Sequence, residues 1–169
     1  MKSILITVFI INMCLISCGS DHSAKEDLIN TSASLTESLI PDMDPLNGRV
    51  ITTLINKKQK TMSTLYGNEA AFQYADNKSP VDTTGYPGGT KLALVTWTQK
   101  PDQHWFGANI PGKIQKIQLI EFKETASGIQ PIYSVYYGSP LKLSKEADSA
   151  VTAKNLNFII HLKRSLIPE

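Results

Sequence analysis

Two stretches of the chain concentrate side chains able to do chemistry, Tyr86-Pro-Gly-Gly-Thr90 and Asp102-Gln-His-Trp-Phe-Gly107. Trp97 stands between them, and Ile110-Pro111-Gly112 follows. Trp97, Trp105 and Phe106 supply apolar walls, and the His104 imidazole can ligate a metal or donate a proton. With Tyr86 they make up the candidate pocket. The competing reading makes Trp97 and Phe106 core residues and leaves His104 on a loop without a role. His22 and His161 are far from His104 along the chain, so spacing pairs neither with it and no zinc site is assigned.

Other chemistries lack parts. No Gly-x-Ser-x-Gly elbow presents a nucleophile. Gly85 to Gly89 has the glycines of a phosphate loop without the Lys-Ser/Thr that must follow. Glu121 and Glu124 are three apart in an expected strand, which sends them to opposite faces and excludes an acid–base pair. The acidic residues Asp21, Glu26, Asp27, Glu37, Asp42 and Asp44 lack the spacing and the glycine of a calcium loop. The formal charge is only +2, and Lys57, Lys58 and Lys60 are the densest basic group. Nucleic acid needs a more concentrated footprint and is not an expected partner. No catalytic residue and no metal-ligand set is assigned.

The two cysteines, Cys14 and Cys18, both precede the thiol-free remainder of the chain. Everything after them therefore has no disulfide, cysteine-ligated zinc, iron–sulfur cluster or C-x-x-C-H haem attachment. Ahead of them, Lys2 gives a positive start and Ile4 to Ile16 is almost wholly apolar. Only Asn12, and more weakly Thr7 and Cys14, interrupt that run. It is shorter than the roughly 20 residues of a transmembrane helix and suits a signal peptide.

The run ends in Leu15-Ile-Ser-Cys18, which resembles the lipobox of bacterial lipoproteins. That resemblance implies loss of residues 1–17, a thioether-linked diacylglycerol on Cys18, and an acyl chain such as palmitate on the new amino terminus. Two or three chains, at about 0.8 kcal/mol per buried CH₂, hold a protein stably at a membrane. Gly19 occupies the place where inner-membrane retention would call for Asp, so the expected location is the cell envelope, at the outer membrane in preference to the inner.

Residues 18–47 comprise the lipidated cysteine and an expected tether. This segment is rich in Ser, Asp, Glu and Asn and poor in large apolar side chains. Leu35 to Ile40 can form a helical turn that Pro41 and Pro45 interrupt. Apolar residues make up 41% of the chain and charged residues 19%, which leaves ample material for a core in the remainder, residues 48–169.

Within that remainder, Arg49 to Ile55 reads as a strand, with Thr61 to Tyr66 as its continuation or its partner. Asn68 is an N-cap for a short helix through Tyr74. A turn-rich stretch follows from Lys78 to Thr90. Lys91 to Trp97 is apolar on both faces, as in a covered central strand. Lys113 to Lys123 and Ile132 to Tyr137 are two more strands about a turn centred on Gly128. Asn155, Phe158, Ile159, Leu162 and Leu166 have helical spacing, and Pro168 ends that helix. The order implies an α+β domain, an antiparallel sheet packed by a short helix and a C-terminal helix.

Thr61-Met-Ser-Thr-Leu-Tyr-Gly-Asn68, Tyr86-Pro-Gly-Gly-Thr90, Leu94-Val-Thr-Trp97, His104-Trp-Phe-Gly-Ala-Asn-Ile-Pro111 and Arg164-Ser-Leu-Ile-Pro168 occur in an order that resembles short members of the cytochrome P-460 family. The resemblance covers residues 48–168. It implies a mainly antiparallel sheet with helices and, often, a homodimer. Haem-bearing members hold c-type haem and oxidise hydroxylamine or bind small gases. The chain departs from them in lacking C-x-x-C-H, and the family's lysine–haem cross-link is assigned to no lysine here. The expectation is a membrane-anchored envelope lipoprotein whose domain is a non-enzymatic module without a cofactor, binding a small ligand or an envelope protein. The alternative is a redox protein that holds haem non-covalently through His104 or His161.

Overall fold

The computed structural model describes residues 33–34, 47–77, 85–138, 140–144 and 149–164. The chain divides into two units, Met1–Asn30 and Thr31–Glu169, and every described residue belongs to the second. The leader, Cys18, the helical turn expected at Leu35–Ile40 and the Leu166–Pro168 ending lie outside the described residues.

The strands are β1 (Arg49–Asn56), β2 (Thr61–Gly67), β3 (Lys91–Pro101), β4 (Asn109–Thr125), β5 (Gly128–Tyr137) and β6 (Lys142–Leu143). Each pairs antiparallel with the next in one sheet of order β1-β2-β3-β4-β5-β6. Among the described residues two helices accompany it, α1 (Glu69–Asn77) and α2 (Ser149–Ile160). This is the expected α+β class, with β2 resolved as the partner of β1.

Local chemistry explains the connections. Asn56 Oδ1 accepts from Gln59 N at 2.9 Å and shapes the β1–β2 turn, where Lys60 takes a left-handed φ of 51°. Asn68 caps α1, its Oδ1 accepting from Ala71 N at 3.1 Å. Its Nδ2 donates to the Gly89 carbonyl at 2.9 Å, so one side chain both starts the helix and fixes the loop before β3. The preceding Gly67 allows a close approach: a Cβ there would lie 2.6 Å from Ala71 Cβ and 2.7 Å from Ile51 Cδ1.

Strand alternation sends β3 side chains to two apolar clusters. On one face Leu92 and Leu94 join Ile51, Leu65, Ile120 and Phe122, covered by Ala71 and Phe72 of α1 and Ile159 of α2. Each such side chain, once buried, contributes about 1.5–3 kcal/mol. On the other face Val95 and Trp97 pack with Ile114 and Ile117, and Ala33, Tyr66, Leu119, Tyr136 and Leu141 lie against them. Trp97 Nε1 donates to the Ala33 carbonyl at 3.0 Å, which binds the early chain to the sheet. Burial on both faces is what the sequence of β3 implied.

The closing helix differs from expectation in its bounds. It starts at Ser149 and stops at Ile160, and Leu162 lies beyond it. His161 Nδ1 donates to the Asn157 carbonyl at 2.7 Å and closes the last turn. Only Ile159 of this helix is fully buried, while Phe158 is exposed. Arg164 then pairs with Asp76 of α1. Its guanidinium lies 4.5 Å from the Phe72 ring centroid, and that of Arg49 lies 3.5 Å from it. Among the described residues no helix is long and apolar enough to cross a membrane.

Candidate functional site

The five residues of the candidate pocket are not brought together. Tyr86 is buried in the cluster beneath the helices, its ring centroid 4.4 Å from that of Tyr74 and 5.2 Å from that of Phe122. Trp97 belongs to the cluster on the opposite face. His104, Trp105 and Phe106 sit at the tip of the β3–β4 hairpin, where Trp105 is 73% exposed and Phe106 fully so. The reading of Trp97 as a core residue therefore describes it, whereas Phe106 is no core residue. Strand alternation decides this: Trp97 and Leu94 are three apart and must face opposite ways. Glu121 likewise has no acid–base partner in Glu124. It pairs with Lys123 at 3.1 Å and Lys91 at 3.8 Å.

The helix-covered face holds a different group of functional side chains. Cross-strand register aligns Ser63, Thr96, Lys116 and Tyr137 in one row running across β2, β3, β4 and β5. Directly opposed residues bring their Cβ atoms to about 4.5–5.5 Å. Ser63 Oγ and Thr96 Oγ1 share a hydrogen bond of 2.9 Å. In the next row toward the core, Gln118 is only 3% exposed and its Nε2 donates to Tyr133 Oη at 2.6 Å. Asn155 of α2 also hydrogen-bonds the Tyr133 hydroxyl, so the helix rims this polar floor. Thr61 and Thr96 are buried, Lys116 is half-buried and Tyr137 is exposed, which leaves the group open to solvent on the β5 side.

The bulge in β4 makes this arrangement. Thr96 pairs with Lys116 and Trp97 with Ile114, so Gln115 is the extra residue between them. It keeps Lys116 on the helix-covered face and Ile114 on the other.

The electrostatics follow from burial. Desolvation lowers the Lys116 ammonium below its usual 10.5, and among the described residues no carboxylate pairs with it. Burial raises the Tyr133 hydroxyl, opposed by its bonds to Gln118 and Asn155. An array of hydroxyls, an amide and an uncompensated ammonium can bind an oxyanion by charge-assisted hydrogen bonds. It contains no nucleophile–base pair.

The haem that the sequence resemblance implies does not suit the two described histidines, His104 and His161. His104 stands on an exposed tip whose aromatic neighbours face solvent instead of walling a pocket. His161 is exposed and closes a helix. A non-covalent haem needs an axial side chain and a buried apolar crevice in one place, and neither histidine has both. Among the described residues no group of three or more His, Cys, Asp or Glu side chains could hold a metal ion.

No curated protein matches the chain. A family model does: that of Cytochrome P460 matches residues 47–148, which takes in the whole sheet, α1 and the polar floor. By this match and its antiparallel sheet with helices, the chain belongs to the cytochrome P460 family.

Proposed function

We propose that this protein is a lipid-anchored envelope protein whose P460 domain binds a small oxyanion-bearing ligand without haem and without catalysing a reaction. The observation that carries the reading is the row Ser63–Thr96–Lys116 beside Gln118–Tyr133. Hydrogen-bonding side chains are gathered there around a lysine whose charge burial disfavours. A bound carboxylate or phosphate group restores that charge and takes hydrogen bonds from the row. The P460 sheet serves as the scaffold that spaces the row.

Melting temperature in the presence of acetate, of phosphate and of a dicarboxylate tests it. A ligand at a hundred times its Kd adds about 2.7 kcal/mol. The gain is expected to disappear in Lys116→Met. An equal gain in the variant would move the ligand elsewhere.

The anchor rests on Leu15-Ile-Ser-Cys18 and the apolar run before it. Cys18→Ala is expected to leave an uncut precursor that takes no palmitate label, and normal processing would remove the anchor from this account. The outer membrane follows from Gly19. Family membership favours a second reading, a redox protein with haem held non-covalently, and the absorbance spectrum separates the two.

A further inference from the structure

The β3–β4 hairpin carries the most exposed aromatic pair among the described residues, Trp105 at 73% and Phe106 at 109%. The tip that presents them is closed by hydrogen bonds. Asp102 Oδ1 accepts from His104 N at 2.8 Å and Trp105 N at 3.3 Å. Asp102 N donates to Ala108 O, and Ala108 N to Trp105 O, each at 3.0 Å. Gly107 takes the left-handed φ of 79° that the turn requires. The aromatic pair is thus held in water by a built turn, where an isolated domain gains nothing from it.

The surroundings are cationic. Gln99 N donates to Lys60 O at 2.8 Å, which sets the β1–β2 turn beside the base of the hairpin. That turn exposes Lys57, Lys58 and Lys60, and the base of the hairpin exposes Lys100 and Lys113. Asp102 is the only acidic residue in these two segments, and its carboxylate is engaged in the turn. No ion pair neutralises any of the five lysines among the described residues.

The early chain meets the sheet at this same end. Ala33 is bonded to Trp97, in the hairpin half of β3. Cys18 precedes Ala33 by fifteen positions, a length of chain that can reach no further than about 50 Å. An anchor on Cys18 therefore keeps Ala33, and with it the Trp97 region of β3, within that distance of a bilayer.

We propose that the hairpin end is a second membrane contact, with Trp105 and Phe106 seated in the interfacial layer of an anionic phospholipid bilayer and the five lysines on its phosphate headgroups. Aromatic rings favour that layer, and lysines near an anionic surface are attracted to it. This goes beyond the ligand site, since it uses the tip of the hairpin and not the mid-strand row, and needs no occupant on the polar floor. The proposed lipid supplies proximity only.

The test uses the full chain reconstituted in vesicles of phosphatidylcholine alone or mixed with phosphatidylglycerol. The emission of Trp105 is taken as the difference between wild type and Trp105→Phe. In vesicles containing phosphatidylglycerol it is expected to move to shorter wavelength and be quenched by acyl-brominated lipid. The triple substitution Lys57→Gln, Lys58→Gln and Lys60→Gln should remove most of that quenching. Emission that stays water-like, with full quenching by aqueous iodide in both vesicle types, overturns the proposal. So does a blue shift that is independent of lipid charge and grows with protein density, which would assign the tip to a second copy of this chain. Loss of palmitate labelling alone would refute the anchor and leave the bromolipid result to decide the contact.

Discussion

Replacing Tyr133 by Phe removes one oxygen and leaves the ring in place, so its effect isolates the hydrogen bond at the centre of the polar floor. Gln118 is 3% exposed and its amide donates to that oxygen at 2.6 Å. With the oxygen gone, a buried donor loses its partner, which costs about 1–3 kcal/mol. Asn155, the other partner of Tyr133, is half-exposed and recovers a bond to water. At roughly 4 °C per kcal/mol for a domain of this size, the melting temperature should fall by roughly 4–12 °C.

Adding Gln118→Leu to Tyr133→Phe removes the orphaned donor as well. The double variant should therefore return close to wild-type stability. Urea denaturation of the four proteins measures the coupling, provided the slope stays constant. If Tyr133→Phe lies within about 0.3 kcal/mol of wild type and the two changes are additive, Gln118 does not depend on Tyr133. The floor would then not be the connected network described above.

Two further outcomes follow from the core. Burial and then the neighbouring Tyr74 push Tyr86 up to about 12, so the folded chain keeps a proton that the unfolded chain releases near 10. The stability this contributes is complete below pH 10 and is lost as pH climbs to about 12; Tyr86→Phe should flatten that decline, and identical alkaline melting curves for both proteins would refute it. Gly67→Ala should cost about 1–3 kcal/mol, because the new methyl meets Ala71 Cβ on α1 and Ile51 Cδ1. An unchanged denaturation midpoint would show that α1 shifts freely.

The sequence revealed those parts of the fold that are written in short windows. Lys91 to Trp97 is apolar on both faces and became the covered central strand. Asn68 stands where a cap must stand and caps α1. Strand lengths were underread where proline and glycine suggested turns. Pro111 and Gly112 lie inside β4, in a stretch that runs past the end of β5, and Pro131 lies in β5 where β6 does not reach it. Proline is tolerated at such unpaired margins.

The polar floor had no signal in any single window. Ser63 on β2, Thr96 on β3, and Lys116 and Gln118 on β4 each look like the solvent side of a strand, and only the register of two strand pairings brings them together. The aromatic segment around His104 misled for the opposite reason. Its composition suits a pocket, but neighbours along a hairpin tip can be held in solvent by the turn itself.

The claim that this P460 fold works without haem is tested most directly by one absorbance spectrum, taken on the full chain purified from cells supplied with haem. The account predicts no Soret band, because the chain has no C-x-x-C-H and its described histidines lie at exposed positions without a crevice around them. A stoichiometric Soret band that survives gel filtration and is lost in His104→Ala or His161→Ala would contradict it. That result would put the redox reading in place of the ligand-binding one.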